Sequence, residues 1–466
     1  MHYEEDCVGR MRIADTVLYG IHTARALTNF PITKEVTDGE LFRGLIQIKK
    51  AAAQVNTEAG TLASTKATAI QAACDQLLLG RHQSALIAPA IQGSAGTSVN
   101  MNVNEVIAKL GMQLVPQISL HPNDDVNQCQ STNDVYPSAG RIGLLAAQPR
   151  LLKALARLCQ TLLHKADAYR DVVKVGRTQL QDAVPMTYGQ SFHAYASMFV
   201  RDIKRIKEAG QALAVVNLGG TAVGTGLNAT PYYQSHIVAA VAKLCDLPLT
   251  LSEDLIDATQ NTDDYVAYSA SLKALAVDLT KLCNDLRLLG SGPQAGLNEL
   301  KLPARQAGSS IMPSKVNPVI PEVVNQVAFQ VMGNDLTVTM AAQAGQLELN
   351  AFEPIIFRDL RHNQDELTQA VATLTTNCLS GLKVNTSHSL DNVSHSAIAA
   401  TILNPYLGYA QTTTLIKTAV ATNTSVVTLL RQRHLLPEAL IAQLFAADAL
   451  TNTEMQPVPL NAGSKQ

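Results

Sequence analysis

Seven residues, Tyr268, Leu272, Leu275, Leu279, Leu282, Leu286 and Leu289, alternate spacings of four and three. That seam commits the chain to long helices packed side by side. Thr262 offers an N-cap, Asp263 and Asp264 suit the positive end of a helix, and Gly290 can end it. At ~1.5 Å per residue the rod is about 40 Å long. A second long pattern, from 322 to about 349, sets Asn325, Gln326, Gln330, Asn334, Gln343 and Gln346 among Val, Ala and Met with few charges. Such a helix belongs in a bundle core, where amides bond neighbouring helices or subunits.

Further helical patterns cover roughly 41–59, 67–79, 142–169, 188–216, 232–244 and 360–379, and Pro149 is expected to kink or bound one of them. Glycine, proline and polar residues gather between the rods, at 93–105, 121–139, 176–189, 217–231 and 291–321, where chemistry can sit. The tail over 456–466 reads as frayed. The predicted fold class is therefore mainly α.

Composition adds a quaternary expectation. Charged residues make up 16% of the 466 and hydrophobic ones 47%, against about 25% charged in a typical soluble protein. So few charges coat a lone monomer poorly, which points to an oligomer with apolar or amide-rich interfaces. The net charge of -2 lacks the basic excess that nucleic-acid binding needs. The polar, acidic start MHYEEDCVGRMRIAD does not read as a leader, and no window offers a membrane span; the expected compartment is the cytoplasm. Seven scattered cysteines without a C-x-x-C pair read as reduced thiols. The histidines form no H-E-x-x-H and the acids no cation loop, so neither metal nor nucleotide cofactor is implied. Gly219, Gly220, Gly224 and Gly226 weakly match nucleotide motifs but follow no predicted strand, which excludes a Rossmann reading.

The most informative loop is GSSIMPSKVNPVIPE over 308–322. Gly308 frees its backbone while Pro313, Pro318 and Pro321 restrict it, so Ser309, Ser310, Lys315 and Asn317 are displayed on a segment with few shapes. Lys315 and Asn317, two apart, can face one carboxylate with a charged and a neutral bond. The run Ser131, Thr132, Asn133 can serve an oxyanion, but taken alone it reads first as a turn or the N-cap of a helix. GSAGTSVNMN from Gly93 puts Thr97 near a helix start, where anions are welcome, and VGRTQLQDAVPMTYG adds Thr178 and Gln179.

Together these segments resemble the aspartase/fumarase superfamily of lyases over nearly the whole chain. GSSIMPSKVNP matches the superfamily signature, while YGIHTARALTNF, CQSTNDVYP, TQLQDAVPMTYG and CNDLRLLGSGPQAGLNE look like its ammonia-lyase members rather than class II fumarases. The resemblance implies elimination of ammonia from L-aspartate to give fumarate. It makes Ser309 the base that takes a β-proton, although acid–base chemistry alone nominates Lys315. It implies that Thr97, Ser131, Thr132 and Ser310 stabilise an enediolate and that Thr178, Lys315 and Asn317 hold the α-carboxylate. Asn133, with Thr97 or Gln179, would bind the amino group. Arg25 and Glu322 match family positions that are either functional or structural. Ser94 stands where a glycine is frequent, and Asp125 where several ammonia-lyases carry histidine.

The family fold implied is a three-domain subunit, divided here as 1–134, 135–392 and 393–466, whose long central bundle builds a twenty-helix core in a homotetramer. Each site would draw on three subunits. Two other functions fit less well: a class II fumarate hydratase, and a non-catalytic helical scaffold of the same fold.

Overall fold

The computed structural model describes residues 1–451; the tail expected to fray, 456–466, lies outside them. The chain is mainly helical. It opens with the hairpin β1 (His2–Asp6) and β2 (Gly9–Ile13), then α1 (Ile21–Asn29), α2 (Gly39–Glu58), α3 (Ser64–Leu78), α4 (Thr97–Leu114) and α5 (Thr132–Ala168). A second hairpin, β3 (Val173–Thr178) and β4 (Gln181–Thr187), leads into α6 (Tyr188–Ala212), β5 (Val215–Val216), α7 (Pro231–Cys245), β6 (Thr250–Leu251), α8 (Leu255–Gln260) and α9 (Asp263–Leu289). There follow β7 (Leu300–Lys301), α10 (Val319–Gln343), α11 (Glu353–Leu374), β8 (Lys383–Val384), α12 (Thr386–His395) and a set of short C-terminal helices. Each sheet among the described residues has two strands.

Two compact units emerge. One is built from Met1–Leu151, Arg205–Ala274 and Gln330–Glu366, the other from Leu152–Lys204, Leu275–Phe329 and the described residues from Leu367 onward. The boundaries fall inside α5, α6, α9, α10 and α11. The seam read from α9 is real: Tyr268, Leu272, Leu275, Leu279, Leu282 and Leu286 are buried, each leucine contributing ~1.5–3 kcal/mol of burial. Only Leu289, at the end, is half-buried.

Two of the six amides expected in a core, Asn325 and Asn334, bond neighbouring helices, whereas Gln326, Gln330 and Gln343 are exposed and Gln346 lies beyond the end of α10. In the first unit Asn334 Nδ2 donates to Asn363 Oδ1 of α11 at 2.8 Å, and in the second Asn325 Nδ2 donates to Asn284 Oδ1 of α9 at 2.8 Å. The opposite face of α10 leaves Val323, Phe329, Leu336 and Met340 exposed.

Helix α5 starts ten residues before the pattern predicted and runs through both Pro137 and Pro149. Of the two outcomes expected for Pro149, a kink or a boundary, the boundary is corrected, since the helix continues past it. Proline removes the donor for the carbonyl four residues back. For Pro137 that carbonyl is Asn133 O, and Asn217 Nδ2 donates to it from outside the helix at 3.0 Å. The tertiary fold thus repairs the bond that the local sequence lacks.

The stretch 176–189, read as a loop, is mostly the β3–β4 hairpin, with Thr178 paired to Gln181 across a two-residue turn. Gln179 and Leu180 occupy that turn at φ 52° and 62°, where glycine or asparagine is the usual choice. Without that signal, sequence reading misses the hairpin. A left-handed non-glycine residue costs roughly 1–2 kcal/mol, and Leu180 is 69% exposed. Leu180→Gly is therefore expected to raise stability by about 0.5–1 kcal/mol after the extra entropy of the unfolded chain is subtracted, read as a higher urea midpoint. A lower midpoint would mean that the leucine side chain is held by another subunit in solution.

The glycine-rich segment at 219–226 does follow a strand, β5, but one of two residues paired with β6. Its backbone is already engaged: Asp134 Oδ2 accepts from Gly219 N, and Gln234 Nε2 donates to Gly219 O at 3.3 Å. A dinucleotide loop it is not, because the N–H that would meet a phosphate is bonded to a carboxylate.

Candidate active site

The predicted residues fall into two sets, one in each unit. In the first unit, Ser131, Thr132 and Asn133 open α5. Asp134 Oδ1 accepts from Ser131 N at 2.9 Å, while Ser131 Oγ accepts from Asn133 N at 3.3 Å. This is a reciprocal cap of the kind S-x-x-D can form. The N-cap reading and the oxyanion reading are compatible, since a capped helix start is also the positive end of the dipole.

What these side chains have left to offer follows from the bonds already made. Thr132 Oγ1 accepts from Asn100 Nδ2 of α4 at 3.2 Å, so its single proton is free to be donated elsewhere. Asn133 Nδ2 donates to Ala222 O at 2.7 Å; a carbonyl admits only the amide nitrogen there, which leaves Asn133 Oδ1 as an acceptor suited to an ammonium group. Thr97, half-buried, is the first residue of α4. It follows Gly96 at φ 87°, where a Cβ would lie 2.3 Å from the Tyr136 ring, so only glycine fits. Ser94 puts its hydroxyl to local use, bonding Ser98 Oγ at 2.8 Å, Ser98 N at 2.9 Å and Gln92. Asp125 accepts from His121 N at 2.8 Å and pairs with Lys66 at 2.7 Å.

Sequence reading missed the residue that holds this set together. Asp134 is fully buried and accepts backbone N–H bonds from Ser131, Gly219 and Thr221. Burial outweighs those bonds and pushes its carboxyl up to about 6. The signal was present, because Asp three residues after Ser131 completes the capping box.

In the second unit, Ser309 Oγ accepts from Ile311 N at 3.1 Å and Met312 N at 2.8 Å. Two N–H dipoles aimed at one oxygen favour its charged form, since bonds to an ionised acceptor are roughly twice as strong as neutral ones. Below this tip the loop is clasped: Gly308 N donates to Lys315 O and Asn317 Nδ2 to Gly308 O, each at 2.8 Å. A Cβ at Gly308 would come within 2.8 Å of both Asn317 N and Lys315 O, so the clasp demands glycine. Ser310 and Lys315 are exposed, and Asn317 already spends one amide proton on the clasp.

Thr178 and Gln179, both exposed, sit at the tip of the second hairpin. Its base is fixed by a buried ionic group that sequence reading also missed. Glu299, 1% exposed, pairs with Arg177 Nη1 at 2.6 Å and lies 3.7 Å from Lys174 Nζ; Tyr188 OH donates to its other oxygen at 2.8 Å. Burial depresses the Lys174 ammonium. Nothing in the local sequence marks Glu299, because its partners lie more than a hundred residues away.

Two family positions prove to be paired. Arg25 forms a bidentate contact with Asp6, both bonds 2.8 Å, and Glu322 lies 3.9 Å from Arg287.

Comparison with known proteins places this geometry in context. The Lyase family model matches residues 9–333, and the model for the Fumarase C C-terminus matches residues 400–452. The aspartate ammonia-lyase of Pseudomonas canavaninivorans is 44% identical over 467 aligned positions, covering 98% of each chain. A crystal structure of a fumarate lyase:delta crystallin from Brucella melitensis, bound to cobalt, superposes with a TM-score of 0.93 at 42% identity, over 96% of this chain and 98% of that one. A class II fumarase from Schistosoma mansoni superposes at 0.90 with 32% identity, over 96% and 98%.

Proposed function

Because the chain belongs to the Lyase family, we propose that it catalyses the reversible elimination of ammonia from L-aspartate to give fumarate. The observation that carries this reading is the 44% identity to an aspartate ammonia-lyase over 98% of the chain, against 32% to a class II fumarase. In the reaction, Ser309 removes a proton from the β-carbon. The β-carboxylate becomes an enediolate, stabilised by the hydroxyls of Thr97, Ser131, Thr132 and Ser310. Thr178, Lys315 and Asn317 hold the α-carboxylate, and Asn133, helped by Thr97 or Gln179, accepts from the amino group before it departs. The N–H pair on Ser309 supports the role of base, and the unspent proton of Thr132 and free oxygen of Asn133 match the polarity of carboxylate and ammonium.

The protein acts as a homotetramer whose sites are completed by residues of three subunits, in the three-domain arrangement 1–134, 135–392 and 393–466. The apolar exposed face of α10 supports assembly. Its place is the cytoplasm; the unpaired state of all seven cysteines fits a reducing compartment. No helix among the described residues is long and apolar enough to cross a membrane.

The decisive assay supplies L-aspartate and, separately, L-malate, and follows fumarate by absorbance and ammonia by a coupled reaction. Equal amounts of fumarate and ammonia from aspartate are expected. Malate turnover with no ammonia from aspartate would overturn the assignment in favour of a hydratase.

A further inference from the structure

One lysine in the first unit has no place in the chemistry above. Lys49, on α2, is 0% exposed, and its two bonded partners are neutral. Its Nζ donates to Asn127 Oδ1 and to Gln130 Oε1, each at 2.8 Å. Asn127 Oδ1 is shared: it also accepts from Asn100 Nδ2 at 3.1 Å and Asn104 Nδ2 at 3.2 Å. Asn100 Nδ2 continues to Thr132 Oγ1 at 3.2 Å. Four side chains from α2, α4, the 127–130 turn and the start of α5 therefore form one bonded line.

The direction of every bond along that line follows from its first member. An ammonium only donates, so Asn127 must turn its oxygen to Lys49. That oxygen only accepts, so Asn100 and Asn104 must face it with their NH2 groups. The Asn100 nitrogen then forces Thr132 Oγ1 to accept, and the one proton of that hydroxyl is left to be donated elsewhere. If the amides were free to flip, Thr132 could equally turn its proton inward and present only lone pairs to an anion.

We propose that Lys49 is a positioning residue that sets the polarity of this buried relay and so keeps the Thr132 hydroxyl as a donor to the substrate carboxylate. The inference rests on the reading of Thr132 as a substrate-binding residue. It adds that the donor character of the site is dictated from a lysine that never touches substrate. Burial lowers the basicity of Lys49, to about 7; the neutral amine formed above that pH keeps two protons, enough for Asn127 and Gln130, but gains a lone pair, so it is the ammonium form that fixes the direction of the line.

A double-mutant cycle on the full-length protein tests this, with kcat/KM for L-aspartate as readout and thermal midpoint as a check on folding. Thr132→Val and Lys49→Met are each expected to lower kcat/KM at least tenfold, and the combined variant is expected to fall no further than Thr132→Val alone. Additive losses overturn the relay, because they mean that Lys49 acts without Thr132. Wild-type kcat/KM in Lys49→Met overturns it as well. Unchanged kcat/KM in Thr132→Val removes Thr132 from the substrate site, a failure of the underlying reading that takes the relay with it. Should Lys49→Met not fold, Asn100→Asp decides: it sets an acceptor against Thr132 and draws the proton inward. The expected result is again a tenfold or larger loss that is absent on a Thr132→Val background. Wild-type kcat/KM in Asn100→Asp overturns the proposal.

Discussion

Replacing Ser309 with alanine is expected to lower kcat for L-aspartate by about 10³-fold, the scale on which a positioned base contributes, while a non-reacting dicarboxylate still binds. The expectation follows from local geometry. A free serine is a poor base, but Ser309 Oγ receives two backbone N–H groups from its own loop, and its loss removes the acceptor without touching the Gly308–Asn317 clasp. Steady-state kinetics paired with calorimetric binding separates the two effects. Full turnover by Ser309→Ala would show that another group takes the proton, with Lys315 the next candidate on acid–base grounds.

The largest loss of stability is expected from Asp134→Ala. Three backbone N–H groups, from Ser131, Gly219 and Thr221, lose their acceptor together. A buried donor left unsatisfied costs ~1–3 kcal/mol, so a total of about 3 kcal/mol or more is anticipated, visible as a large fall in the unfolding midpoint. Affinity for aspartate should weaken too, because the same bonds hold the Ser131–Asn133 segment against the 219–222 turn. Asp134→Asn, which keeps one acceptor oxygen, should fall between alanine and wild type. A stable, active Asp134→Ala protein would deny the residue its anchoring role. The pH dependence has a definite sign. The folded-state carboxyl, at about 6, lies above its ordinary value of 3.8. Its contribution to stability is therefore complete below that ordinary value and is lost as pH rises through about 6. Between those limits the stability difference between wild type and Asp134→Asn should shift against the wild type as pH increases.

These residues also show where sequence reading succeeds and fails. The α9 seam was legible because a helix reports its buried face through its own periodicity, and the 308–322 loop because its chemistry lies in one unbroken string. The start of α5 was legible only as one option, since STND offers an N-cap but, followed by Pro137, is also written like a turn, and the compensating donor, Asn217, lies 84 residues beyond Asn133. The β3–β4 hairpin was hidden by a turn made of Gln179 and Leu180, neither of which announces a left-handed backbone. Lys49 and Glu299 share a further reason. Each owes its importance to burial among partners from distant segments, and a lone charged letter in a helix or loop carries no mark of that; Asp134 differs in that its spacing from Ser131 marks the local cap, though not its bonds to Gly219 and Thr221.

The Ser309 loop brings its own activating dipoles, so its chemistry travels with it. A lid that had to complete an oxyanion pocket on arrival would tie reactivity to the closed state alone. On the role proposed for Ser309, the oxygen already holds its two N–H partners without substrate, and closure of the loop would have only to deliver it. Turnover would then depend on how often the segment lands rather than on how well it is rebuilt each time. Substitutions that stiffen or loosen its two stems should change frequency of delivery while leaving the intrinsic reactivity of the nucleophilic oxygen, toward an electrophile small enough to reach it in solution, untouched.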